Sequence, residues 1–132
     1  MDLGLKALEK AKYGRVSFLL PATEHKAQRI MKCSLDDAFS EGLDLIKYIK
    51  DKNPEMPVDI ALMDSPVAEM GRLTEFINAA TIEGLSIAKI CDTRGLFYPK
   101  QVFPFFDELF KSVSNEATLG IHFHNALAYQ TR

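Results

Sequence analysis

The chain has 132 residues, 47% hydrophobic and 26% charged, with a net charge of -2, which is one domain's worth of ordinary globular composition. It has no basic block to attract nucleic acid, and no apolar run approaches the roughly 18 residues of a membrane span. Cys33 and Cys91 show neither metal-site nor framework spacing, and Met1–Lys6 carries an early acid without a secretory apolar region, so a cytoplasmic protein without leader or transit peptide is expected.

Leu3, Ala7, Leu8 and Ala11 share one face, with Lys6, Glu9, Lys10 and Lys12 off it, predicting an opening helix ended by Gly14. Arg15 to Leu20 is rich in β-formers and stopped by Pro21, which reads as a short buried strand. Pro21 to Lys26 reads as a polar connection. Ser34-Leu35-Asp36-Asp37 is a helix start, a serine N-cap with an acid three residues on and acids in the positive first turn. The stripe Leu35, Ala38, Phe39, Gly42, Ile46 and Ile49 carries that helix to about Lys52, where Asn53-Pro54 closes it. Val58 to Met63 is a second strand. Met70, Leu73, Phe76, Ile77 and Ala80 mark a helix stopped at Gly84. Leu85 to Cys91 is a third strand, running into Asp92–Thr93–Arg94–Gly95. Pro99 suits the first position of another helix, with Val102, Phe105, Phe106, Leu109 and Val113 as its buried face. Pro104 inside it removes a donor and predicts a kink or a late start. Leu119 to His124 is the fourth strand.

Strict alternation of strands with helical stretches predicts right-handed crossovers and a parallel sheet, an α/β architecture. Parallel strands end at one edge, where α/β folds bind ligands. Glu24/His25, Asp64/Ser65, Asp92/Thr93 and His122/His124 all fall there. The period of two places His122 and His124 on one face, and two neutral imidazoles side by side are half of a divalent-metal site. The simpler readings are a satisfied histidine pair, Asp92 and Asp64 fixing turns through Asx hydrogen bonds, Arg94 solvated or salt-bridged, and His25 exposed. Phe103, Phe105, Phe106 and Phe110 nearly encircle one helix, where core packing is the default.

Ile90–Cys91–Asp92–Thr93–Arg94–Gly95–Leu96, then Pro99 and a helix, then Gly120–Ile121–His122–Phe123–His124–Asn125, resembles the sixth and seventh strands of the DRE-TIM metallolyases. That HMGL-like group, with pyruvate-carboxyltransferase-like domains, includes 2-isopropylmalate, homocitrate and citramalate synthases, hydroxymethylglutaryl-CoA lyase and 4-hydroxy-2-oxovalerate aldolase. Val16 to Thr23 and Met31 to Ala38 are similar to the family's fourth strand and helix, and Val58 to Met70 takes the fifth-strand slot. The resemblance implies a partial TIM barrel of about four parallel strands as a single domain over residues 1–132, without the family's first and last strands. It implies a divalent ion (Mn²⁺, Mg²⁺, Zn²⁺ or Co²⁺) on His122 and His124, held weakly here. It further implies Thr93 and Asp92 as catalytic candidates, and Thr93, Asp64 and Arg94 as substrate-binding candidates. Met63 stands where relatives often carry an acid, Ala126 follows Asn125 where they carry another, and Arg94 replaces a usually small or apolar residue.

The implied reaction is Claisen condensation or aldol cleavage of a 2-oxo acid or acyl-CoA, through an enolate that a Lewis-acid metal stabilises. A biotin-dependent carboxyltransferase or oxaloacetate decarboxylase is the second enzyme reading. Cys91 weighs against it, because those relatives usually have lysine before the sixth-strand aspartate. A third reading is a non-catalytic half-barrel that self-associates or pairs with a partner. The concave face of such a sheet, lined by Phe18, Ile60 and Ile87 or their neighbours, would lose its filling layers, so a homo-oligomer is expected.

Overall fold

Four strands alternate with helices along residues 2–124, the part of the chain that the computed structural model describes. In chain order these are α1 (Asp2–Leu8), β1 (Val16–Pro21), α2 (Glu24–Ile30), α3 (Leu35–Lys52), β2 (Val58–Met63), α4 (Met70–Ile82), β3 (Ile87–Asp92), α5 (Pro99–Ser112) and β4 (Leu119–Phe123). A single 3₁₀ turn, Ser65–Val67, follows β2. No helix among the described residues is long and apolar enough to cross a membrane.

Local chemistry explains most of these boundaries. The α3 start is a full capping box, with Ser34 Oγ accepting from the Asp37 N–H at 3.1 Å and the Asp37 carboxylate accepting from the Ser34 N–H at 3.3 Å. All six residues of the expected α3 stripe are buried. Removing the cap by Ser34→Ala is expected to lower stability by about 1 kcal/mol in urea denaturation, with Ser34→Gly losing only a few tenths. Gly84, at φ +95°, ends α4 in a conformation that side chains rarely adopt.

Three local expectations are corrected. The opening helix stops at Leu8, before Ala11 and Gly14; Leu5 and Leu8 pack against the core only in part and Ala11 is exposed, so little burial holds a further turn. The expected polar connection after β1 contains α2, capped by Thr23 Oγ1 on the Lys26 N–H at 3.3 Å and anchored by buried Ala27. The helix α5 does not start late: it begins at Pro99 and continues through Pro104, which lies on its exposed side, so the carbonyl left without a partner can be met by water. Of the expected α5 face only Leu109 is fully buried, while Val102, Phe105, Phe106 and Val113 are half-buried. Among the described residues α5 is the last helix over the sheet, and its outer side lacks a neighbour.

The sheet order is β1-β2-β3-β4, every neighbouring pair parallel, as the crossover rule requires. Paired residues share a face, so register sorts the side chains. Val16, Phe18 and Leu20 align with Val58, Ile60 and Leu62, and the last two align with Ala88 and Ile90. This face meets the helices: Leu20, Val58, Ile60, Leu62, Ala88 and Ile90 form one core with Ile46, Ile49, Leu73, Phe76, Ile77 and Leu109. Phe39 and Phe76 stack between α3 and α4 at 4.2 Å. Phe18 and Ile60 therefore face the helices, and only Ile87 of the three expected concave residues lies on the opposite face. That face carries Leu19, Asp59, Ala61, Met63, Ile87, Lys89, Cys91 and His122. Its core is ionic near the amino ends of the strands. The fully buried Asp59 receives Arg15 Nη1 at 2.8 Å on each oxygen and Lys89 Nζ at 3.0 Å.

Candidate active-site edge

Each strand delivers a polar residue to the carboxyl edge, but the fold gives these residues different jobs. Asp92 is buried, its Oδ1 accepting from the Leu96 N–H at 2.7 Å and its Oδ2 from the Phe97 N–H at 2.9 Å. Its carbonyl also accepts from the Gly95 N–H at 3.2 Å and the His124 N–H at 3.3 Å. Asp92 thus shapes the turn after β3 and ties the end of β4 to it, the simpler of the two readings of this residue. Ser65 is likewise structural, its hydroxyl donating to the Leu62 carbonyl at 2.6 Å.

Thr93 follows on the concave side of the turn. Its Oγ1 accepts from the Asp64 N–H at 3.1 Å, joining the β2 and β3 loops. Asp64 is buried in the left-handed conformation, φ 63°, which aspartate tolerates better than most residues. Its Oδ2 lies 3.4 Å from Lys26 Nζ and 3.3 Å from Arg94 Nε, and its Oδ1 is buried with no hydrogen-bond partner. Lys26 was not singled out in the sequence. Thr23, a capping residue followed by an acid and an apolar i, i+3 pair at Ala27 and Ile30, was the signal that puts Lys26 on a helix. His25, on the same helix, is exposed, as expected.

His122 pairs with Cys91 in the β3–β4 register, so it lies on the concave face, and His124 follows two residues on. Their rings are 5.0 Å apart at 42°, and both residues are exposed. Thr93 and His124 are the residues next after the aligned pair Asp92–Phe123, which makes them neighbours at the edge. Burial raises the Cys91 thiol above its ordinary pKa, so beside His122 it stands as a neutral thiol. Two imidazoles at this separation fit two positions of a divalent ion's shell. Among the described residues no group of three or more His, Cys, Asp and Glu side chains could hold a metal, and Asn125 lies outside the described residues.

Parallel strands in sequential order, helices over one face and polar loops gathered at the carboxyl edge define a partial α/β barrel. The model of the HMGL-like family matches residues 2–131, and the chain belongs to that family, the DRE-TIM group. It is 27% identical over 126 residues to a 2-isopropylmalate synthase of Campylobacter concisus, covering 96% of this chain and 25% of that protein. With a 2-isopropylmalate synthase of Methanocaldococcus jannaschii it is 25% identical over 109 residues, 83% of this chain and 20% of the relative. Hydroxymethylglutaryl-CoA lyase from Pseudomonas aeruginosa shares the fold with a TM-score of 0.78 at 16% identity, over 98% of this chain and 44% of the lyase. The HMG-CoA lyase of Bacillus subtilis does so with a TM-score of 0.72 at 20% identity, over 96% and 45%. The chain spans about a quarter of the length of the curated relatives.

Proposed function

We propose that this chain supplies the substrate-facing carboxyl edge of a metal-dependent enzyme that makes or breaks carbon–carbon bonds in 2-oxo acids or acyl-CoA thioesters. The observation that carries this reading is the pair His122 and His124, 5.0 Å apart at the edge that also holds Thr93, Asp64 and Arg94. A divalent ion bound there supplies Lewis-acid polarisation of a carbonyl. His122 and His124 would hold it, with further donors coming from outside the described residues. Thr93 accepts one hydrogen bond through Oγ1 and retains its own O–H, which would orient a ligand carboxylate. Both Asp92 oxygens are taken by backbone, so we assign Asp92 the positioning of the Thr93 turn. Arg94 would face the substrate's polar end, held from beneath by the buried Asp64.

Titrating the chain with Mn²⁺, followed by electron paramagnetic resonance, tests the reading. Weak saturable binding is expected, abolished in His122→Ala and in His124→Ala. Binding that persists undiminished in both variants overturns it.

A second reading concerns the isolated chain. Leu19, Ile121, Phe103 and Phe110 are 64%, 67%, 79% and 61% exposed, and an apolar groove of about 230 Å³ runs between α5 and β4, lined by Val102, Phe106, Phe110 and Ile121. Burying such surface is worth roughly 25 cal/mol per Å². Self-association of the chain is therefore expected in sedimentation velocity and should weaken on Ile121→Lys; a strict monomer would remove this reading.

A further inference from the structure

We propose that Lys26 and Arg94, positioned by Asp64, form an anion clamp at the carboxyl edge that grips a ligand carboxylate or phosphate. The proposal rests on the reading of this edge as the ligand-binding side, and it adds a charged contact made by α2 and the β3 loop.

Among the described residues two clusters have two cations sharing one buried aspartate, and they differ in a way that separates structure from function. Around Asp59 the three N···O distances are 2.8, 2.8 and 3.0 Å, and Arg15 donates to both carboxylate oxygens. That cluster satisfies its carboxylate. Around Asp64 the contacts are 3.4 and 3.3 Å, both to Oδ2, beyond the roughly 2.7–2.9 Å of a charge-assisted hydrogen bond. Oδ1 remains buried and without a partner. A buried polar atom left in that state is destabilising, which a purely structural tie would relieve by closing on it.

Exposure gives the direction. The Asp64 side chain is 4% exposed, Lys26 19% and Arg94 53%, so the carboxylate lies beneath and the cations face solvent. Arg94 meets Asp64 through Nε at 3.3 Å, and its Nη atoms make no hydrogen bond to the carboxylate, so the planar fork can turn to a bidentate anion. Among the described residues no second acid forms an ion pair with either cation. The nearest candidate in sequence, Glu24, is spent on the Leu35 N–H at 2.9 Å and on Gln28 Nε2 at 2.9 Å. Two cations over one carboxylate leave one unit of positive charge at the rim. The anion is a substrate carboxylate or the phosphate of a phosphorylated carrier; both offer a pair of oxygens to a guanidinium.

Metal-free NMR titrations with sodium malonate and with inorganic phosphate, read at the Thr93–Gly95 amides, test this. Saturable binding is expected, weakened about tenfold or more in Arg94→Gln and in Lys26→Gln, as befits loss of a charged hydrogen bond. Arg94→Lys, which keeps the charge without the fork, should fall between. Asp64→Asn tolerates the same backbone and releases both cations, so it should alter anion affinity while Mn²⁺ binding at the histidines stays unchanged. Tighter malonate binding points to a substrate carboxylate, and tighter phosphate binding to a phosphorylated carrier. No saturable binding of either anion, or affinities unchanged in both Gln variants, overturns the clamp. Mn²⁺ affinity of the same samples reports on the histidine pair alone, so failure of the clamp and failure of the metal reading are separable.

Discussion

Replacing Arg15 and Lys89 together with methionine should lower stability by about 3–5 kcal/mol, the loss expected when a buried charge is stranded. The Asp59 side chain is 1% exposed, while Arg15 and Lys89 are 47% and 33% exposed. The asymmetry sets the sign of each variant. Without its cations, Asp59 has no water to turn to. Without Asp59, both cations can reach solvent, so Asp59→Leu alone should cost much less than the double replacement. Combining all three changes, Arg15→Met, Asp59→Leu and Lys89→Met, should restore stability to near the starting value, because a packed apolar set of similar volume replaces an ion cluster without penalty. Urea denaturation midpoints with a constant m-value measure all three. A double variant within about 1 kcal/mol of the parent would mean that the carboxylate is not held as described. The cluster lies at the amino ends of the strands, so Mn²⁺ and anion binding at the opposite edge should survive in the folded variants.

Ile60→Ala should cost about 2–5 kcal/mol, whereas Leu19→Ala should change stability by less than about 0.5 kcal/mol. Both positions are apolar strand residues, one strand apart. Ile60 is completely buried between sheet and helices, and truncation leaves a cavity beneath α3 and α4. Leu19 is 64% exposed on the concave face, so its side chain loses little contact with the rest of the chain. Thermal or urea unfolding decides the contrast. Equal losses at the two sites would show that the concave face is packed in solution, as it would be inside a self-associated species, and sedimentation of the same samples would then reveal that species.

Local order was legible because it is written in short windows. The capping box at Ser34 and Asp37, the 3.6-residue stripe from Leu35 to Ile49, and the largely apolar run from Val58 to Met63 each lie within a few residues of the structure they specify. The parallel order followed from helical crossovers that return the chain to the same side of the sheet. The two-residue period of a strand brought the His122 and His124 rings to 5.0 Å of each other. The missed helix α2 is instructive. Its core contribution is the single residue Ala27, so its apolar period was too weak to read, although Thr23 was in place to cap it.

What the sequence by itself determined, then, is the four strands and the long helices between them, their parallel succession and the edge at which the polar loops collect. Only the tertiary structure decided which face of the sheet is the core and which charges meet. Ile60 and Ile87 were read as sharing a face, but register aligns Ile60 with Ala88 and turns Ile87 the other way. Arg15 and Asp59 are 44 residues apart, and nothing in either neighbourhood names the other. The same holds for Lys26, Asp64 and Arg94, which helix α2 and the turns after β2 and β3 bring together. Hydrophobic period and capping act over one or two turns of chain. Partner choice among charges depends on strand register and loop path, which are settled only when the whole sheet has paired.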